Sequence, residues 1–238
     1  MIDFKFLKKE RILLGLLVVV AVTNFANAAG MRPETSIVIV HEDDGDGSIN
    51  VRNTDSSPAL LYTKILDIEE DKEDLLIATP QVARVEPGKS QMVRFILTND
   101  KPLETQRLKR VIFDGIPPKN DKKGLNIGVN ARQNLPVLIH PAGLAKDNEP
   151  WKRLSWSIQD GALILENKSP YVVRMAQQVY LLPYGEQVDI GRTYILPGQE
   201  FSYPLNLNDK EIPSNVRIMP ATIYGFVTDK FDAPVVKK

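Results

Sequence analysis

The chain contains no cysteine. That excludes disulfides, thiolate metal sites, thiol nucleophiles and thiol redox chemistry. An exported protein is free to use disulfides, so here hydrophobic burial alone must hold each domain. Histidine is scarce as well. Only His41 and His140 can do acid–base work near neutral pH. Neither lies in a nucleophile motif, and no G-x-S-x-G or phosphate-cradling glycine loop is present. Net charge is missing too: 30 Lys and Arg balance 30 Asp and Glu. Such a balance carries no electrostatic footprint of a nucleic-acid partner. These absences point away from an enzyme, and no cofactor is implied. The nearest approach to a metal motif is "HEDDGDGS" at residues 41–48. It lacks the glutamate that closes an EF-hand loop, so an acidic hairpin is expected and no metal.

What is present begins with a targeting signal. Lys5, Lys8, Lys9 and Arg11 precede the apolar run "ILLGLLVVVAV" at residues 12–22. "ANA" at residues 26–28 then supplies a small-x-small cleavage site. The run is shorter than the ~20 residues that a membrane-spanning helix needs. Residues 1–28 therefore read as a signal peptide, the alternative being an uncleaved anchor. No later segment is apolar enough to span, so an integral membrane protein is not expected.

The remainder reads as β-structure throughout. "SIVIVHE", "SINVRN", "ALLYTKILDI", "QMVRFIL" and "RLKRVIFDGI" are rich in β-branched and aromatic residues. Turn clusters such as "TDSSP", "EPGKS" and "PPKNDKKG" separate them. About seven strands fit before residue 140, the number an immunoglobulin-like sandwich needs. "HPAGLAKDNEP" at residues 140–150 interrupts the pattern, and a second strand series follows. Two domains are expected, residues 29–143 and 144–238, with no sequence repeat between them. Trp151 and Trp156 open the second domain and are expected in its core or as a cushion between domains.

One stretch raises a question. In "GLNIGVNARQNLPVLIHP", Leu125, Ile127, Val129 and Ala131 alternate with polar residues. That is one apolar face at period two. The pattern alone fits a face given to the protein's own core or a face offered to another molecule. Val137, Leu138 and Ile139 form a continuous apolar run and are expected to pack internally.

Several motifs together resemble one family, the PapD-like periplasmic chaperones of pilus assembly. "IATPQVARVEPGKSQMVRF" and "FDGIPP" resemble its N-terminal domain. "LENKSPYVV", "LPGQ" and "YGFVTDKFDAP" resemble its C-terminal domain. The motifs keep family order over nearly the whole mature chain. The resemblance implies an all-β protein of two immunoglobulin-like sandwiches arranged as a boomerang. It implies a periplasmic location, a partnership with pilin subunits, and delivery to an outer-membrane usher. A pilin of this kind lacks its last strand, and the chaperone supplies one, a form of β-augmentation. In family register that donor strand carries Leu125, Ile127, Val129 and Ala131.

Two departures follow from the same alignment. The family holds the pilin's terminal carboxylate with a cleft arginine and lysine, and here those positions are Ser36 and Pro136. Arg132 lies on the same face as Pro136, and Arg110 lies on the neighbouring strand. They are the candidate replacement anchor. Strand parity lets only one of Lys109 and Arg110 face the cleft. The family's interdomain ionic network falls on Gln106, His140 and Asp229, which makes His140–Asp229 a candidate pair. The competing readings are a secreted immunoglobulin-like structural or adhesive pilus protein, and a sugar-binding or hydrolytic sandwich. The last predicts a concave aromatic site or an acid–base pair, and neither is visible.

Overall fold

The computed structural model describes residues 30–118, 132–206 and 212–237. The signal segment and the four donor-strand candidates Leu125, Ile127, Val129 and Ala131 lie outside these residues. Among the described residues the structure is almost entirely β, with a single 3-10 turn at Pro150–Arg153.

The first sandwich contains β1 (Met31–Pro33), β2 (Val38–His41), β3 (Asp46–Asn53), β4 (Ala59–Leu66) and β5 (Leu76–Thr79). It is completed by β6 (Val82–Val85), β7 (Ser90–Leu97), β8 (Arg107–Ile116) and β9 (Gln133–His140). The hydrogen-bonded order is β5-β7-β3-β2-β9-β8-β4-β6, with β1 on β3. β2 joins the two faces: it pairs antiparallel with β3 and parallel with β9. β3 passes very close to β2, and a Cβ on Gly47 would lie 2.3 Å from the Ile39 carbonyl oxygen.

Alternation places the core. Ile49 and Val51 of β3, Leu61 of β4, Val93 and Phe95 of β7, and Val111 and Phe113 of β8 all point inward. Leu135, Val137 and Ile139 of β9 join them. Burying each large apolar side chain stabilises by about 1.5–3 kcal/mol. Phe95 and Phe113 meet edge to face, with centroids 6.5 Å apart, a favoured geometry for two ring quadrupoles.

The second sandwich follows with β10 (Ser155–Gln159), β11 (Ala162–Glu166), β12 (Val173–Met175), β13 (Gln178–Leu182) and β14 (Glu186–Asp189). It continues through β15 (Tyr194–Ile195), β16 (Glu200–Pro204), β17 (Asn215–Ile218), β18 (Pro220–Ala221) and β19 (Phe231–Lys237). Its larger sheet runs β14-β13-β17-β19-β10-β11-β16, and its smaller sheet runs β15-β12-β18. Trp151 and Trp156 both lie in its core, with Leu163, Leu165 and Val216. Each sandwich also holds one fully buried asparagine. Asn53 donates to the carbonyls of Ser57 and Val85, and Asn167 donates to those of Tyr171 and Ile195. A buried amide satisfied in this way pins a loop to the strands beside it.

The even-numbered residues of β8 and β9 face away from the first core, and those at the start of β8 and the end of β9 meet the second domain. Leu108 and Leu138 cluster there with Ile37, Ile68, Val172 and Leu196. Val137–Ile139 is thus wholly buried, but it serves two environments: Val137 and Ile139 fill the sandwich, and Leu138 fills the seam between domains. Polar contacts complete that seam. The Gln106 amide donates to the Pro170 carbonyl at 2.8 Å, and Ser36 Oγ donates to the Tyr224 carbonyl at 2.6 Å.

Candidate functional site

β9 has an open edge. Its pairing with β8 runs from His140's neighbour Ile139 back to Gln133, opposite Arg107 to Phe113. Its pairing with β2 stops at Val137. From Pro136 back to Gln133, the side away from β8 therefore has no strand partner among the described residues. A groove of about 420 Å³ lies there, between Arg32–Ser36 and Gln133–Leu135. An unpaired edge beside a groove is what an incoming strand requires.

The two candidate anchor arginines are not brought together. Arg110 lies opposite Pro136 in the β8–β9 register. Its Nε donates to Asn134 Oδ1 at 2.9 Å, and its Nη2 donates to the Asn134 carbonyl at 2.8 Å. Arg132 donates instead to Asp114, through Nη2 at 2.9 Å and Nε at 3.2 Å. Asp114 is four residues beyond Arg110 on β8, which is about 13 Å of extended strand. Arg132 shares the parity of Pro136, and the cross-strand Asp114 carboxylate takes its charge. Its side chain remains 63% exposed, while the Asp114 side chain that it meets is only 10% exposed.

Lys109 shows the parity argument from the other side. It points into the first sandwich and is 1% exposed. Its Nζ donates to Asp67 at 2.8 Å and to Asp71 at 2.9 Å. Arg107, also of odd number, forms a two-pronged bond to Asp71. Burial acts to raise the Asp71 pKa, but the bonds from Arg107 and Lys109 outweigh it and hold the carboxyl below its ordinary range.

His140 also differs from its expected pairing. Its Nδ1 lies 2.9 Å from Gln106 Nε2, and its Nε2 lies 2.8 Å from the Leu144 carbonyl. Both ring nitrogens are thereby occupied, and Asp229 is not among their partners. The reason lies in Gln106, whose amide supplies the donor that the imidazole accepts. His41 stacks edge-on against His140 at 5.5 Å. A cavity of about 390 Å³ opens beside them, lined also by Gln106, Trp151, Arg174 and Tyr224. No group of three or more metal-ligating side chains occurs among the described residues.

Arg174 is the residue that sequence reasoning missed. It sits on β12 between the buried Val173 and Met175, and it points out of the second core toward the first domain. Its Nη1 donates to the Ile223 carbonyl at 2.8 Å. With Arg110, Pro136 and Tyr194 it lines a second, smaller cavity of about 40 Å³. Burial lowers the Arg174 pKa, and the nearby charge of Arg110 adds to that effect. A lone cation opposite in phase to buried neighbours in "PYVVRMA" was the available signal.

Comparison with known proteins decides the family. Residues 30–145 match the pili and flagellar-assembly chaperone PapD N-terminal domain. Residues 149–230 match the C-terminal domain of the pili assembly chaperone PapD. The chain belongs to the PapD family of pilus-assembly chaperones. A fimbrial chaperone of Escherichia coli K12 named YhcA, itself uncharacterized, is 45% identical to this chaperone over 206 residues. The match covers 86% of this chain and 90% of that one. Among solved structures, the E. coli chaperone DraB superposes with a TM-score of 0.68 at 20% identity. That match covers 88% of this chain and 98% of DraB. A structure of Salmonella enterica SafA pilin in complex with the SafB chaperone gives a TM-score of 0.69 at 17% identity, with coverages of 88% and 98%. These two likenesses establish the fold of the chaperone. No helix among its described residues is long and apolar enough to cross a membrane.

Proposed function

We propose that this chaperone captures newly exported pilus subunits in the periplasm by lending them a strand, caps them, and delivers them to an outer-membrane usher. Residues 1–28 would direct its export. The observation that carries the reading is the unpaired β9 edge from Gln133 to Pro136. The alternating face of Leu125, Ile127, Val129 and Ala131 precedes that edge in sequence. A subunit lacking one strand exposes both a backbone edge and an apolar groove. The lent strand satisfies the edge by main-chain hydrogen bonds and fills the groove with its alternate side chains. Each large side chain so buried contributes about 1.5–3 kcal/mol. The SafA–SafB complex supports the pairing of a chaperone of this fold with a pilin.

Arg110 is the anchor candidate that the geometry favours for the subunit's terminal carboxylate. It is half-buried at the domain seam, and neutral groups hold it in place. Arg132, committed to Asp114, is a weaker candidate. The work needs neither ATP nor catalysis, because the energy comes from strand pairing and burial.

The test is co-expression with candidate exported subunits, followed by purification on the chaperone. A one-to-one complex is expected. Recovery of every tested subunit uncomplexed and aggregated, with the chaperone folded, would overturn the reading.

A further inference from the structure

His140 sits where the end of β9, the linker and the second domain meet. Its Nε2 lies 2.8 Å from the Leu144 carbonyl, which can only accept, so that nitrogen carries the ring proton. Its Nδ1 accepts from Gln106 Nε2 at 2.9 Å. Gln106 presents this NH₂ group because its other end is taken: Oε1 accepts from the Val172 amide of the second domain at 2.8 Å. The Gln106 backbone amide donates to the Pro170 carbonyl beside it, also at 2.8 Å. Gln106 and Val172 are both buried, so a bond lost here is not simply replaced by one to water.

Acid changes one member of this chain. A proton added at His140 Nδ1 turns the acceptor into a donor, and two N–H groups then face each other across 2.9 Å. The Gln106 amide relieves that contact by rotating half a turn, which brings Oε1 to the imidazolium and replaces a neutral bond with a charge-assisted one. The same rotation sets the NH₂ group against the Val172 N–H, again donor to donor. One side-chain carbonyl thus has two claimants, Val172 when the ring is neutral and His140 when it is charged. The first bond crosses the seam and the second does not.

The charged groups around the ring leave that choice to Gln106. On β2, His41 stands edge-on at 5.5 Å, and Glu42 beyond it spends its carboxylate on the Ala142 and Leu103 amides and on Asn99. The linker contributes Lys146 and Asp147, whose carboxylate is bonded by Arg153. β12 contributes Arg174, and the loop after β18 contributes Tyr224. Arg107, next to Gln106, is paired with Asp71 and Glu73. The cavity of about 390 Å³ beside both histidines gives solvent protons access to the ring.

We propose that His140 and Gln106 form an acid-sensitive clasp between the two domains, closed onto Val172 when the ring is neutral and released from it when the ring is protonated. The docked seam is built for the neutral ring, and a parted seam admits either form. The clasp is therefore closed above the ordinary imidazole range, ~6.5, and weakens as pH falls through that range and below it. It belongs to the seam and does not rest on the strand-lending reading.

The test is an NMR titration of the full mature chain from pH 8 to pH 5, read at the His140 ring nitrogens, the Gln106 side-chain amide and the Val172 amide. The Gln106 and Val172 signals are expected to move with the same midpoint as His140 Nδ1. Hydrogen-exchange protection at Val172, corrected for the intrinsic pH dependence of exchange, should fall about tenfold or more. Core amides such as those of Val93 and Val216 should keep theirs. Gln106→Glu supplies a carboxylate that accepts from both sides, so Val172 should stay protected at pH 5. His140→Gln should make Val172 insensitive to pH over this range, and His41→Gln should leave the response in place, which separates the two rings. Constant Val172 protection while His140 titrates would overturn the proposal, as would a His140 ring that stays neutral down to pH 5. So would an acid response that survives in folded His140→Gln or disappears in folded His41→Gln.

Discussion

Gln106 ties the two domains together through His140: its Nε2 lies 2.9 Å from His140 Nδ1, while its Oε1 accepts from the Val172 amide at 2.8 Å. The amide orientation is fixed by Val172, which must meet the carbonyl end. The NH₂ end then donates to His140 Nδ1. The ring proton falls on Nε2 and donates to the Leu144 carbonyl. One glutamine thus connects β8's approach, the end of β9, the linker and the second domain.

The first prediction removes that connection. Gln106→Leu leaves the Val172 N–H and His140 Nδ1 unpaired at the seam, at a cost of about 1–3 kcal/mol. Hydrogen exchange at Val172 should accelerate in the variant while exchange in the two cores is unchanged. Undiminished protection of Val172 would show that the seam does not depend on Gln106.

A second prediction concerns the buried lysine. Lys109 is buried between Asp67 and Asp71. Lys109→Ala leaves the buried Asp71 carboxylate without one of its cations and a cavity where the stem lay, so a loss of about 3–5 kcal/mol is expected. Urea unfolding of the first domain measures it. Arg107 still bonds Asp71, which places the expected loss toward the lower end.

Much of this architecture is legible in the sequence, and the boundary of legibility is instructive. Period-two alternation is local, so "QMVRFIL" and "RLKRVIFDGI" gave their strands directly, now β7 and β8. Parity separated Lys109 from Arg110 correctly. Which of the two faces met the core was not local information, and neither was the acidic turn that receives Lys109. Arg132 shares the parity of Pro136, yet its partner Asp114 depends on cross-strand register. His140 was assigned to Asp229 by analogy with charged relatives, but glutamine at position 106 changes what the ring can accept. Arg174 acts across the seam, and no pattern within one strand reports a neighbour in another domain.

Acid should weaken the chaperone through Glu42. Burial raises the Glu42 pKa, but donation from the Ala142 and Leu103 amides and from Asn99 outweighs it and holds the carboxyl below its ordinary value. The folded pKa is below the unfolded one. Its stabilising contribution is therefore complete above the ordinary carboxylate range, near ~4.3 for Glu. It is lost as pH falls from there through the folded value. Glu42→Gln should be less stable at pH 7 and should lose less further stability between about pH 5 and pH 2 than the wild type. Urea midpoints across that range test it, and parallel curves for the two proteins would contradict it.

Arg110 and Arg132 should behave differently in client capture. Arg110→Ala is expected to lower subunit affinity about tenfold or more, because it removes a charge-assisted donor at a half-buried site. Arg132→Ala removes a guanidinium already committed to the buried Asp114 carboxylate rather than to the seam, and should change affinity less than about threefold. Binding measured against one purified subunit decides. A larger loss in Arg132→Ala would reverse the assignment.

The most direct measurement of the central claim is client capture by a chaperone carrying Ile127→Asp and Val129→Asp. Two carboxylates on the lent face cannot enter an apolar groove without a large desolvation cost. The account predicts that the double variant keeps the wild-type circular dichroism and melting temperature but no longer co-purifies with a subunit that the wild type binds. Retention of the subunit by the folded variant would contradict the claim, and unfolding of the variant would show that this face belongs to the chaperone's own core.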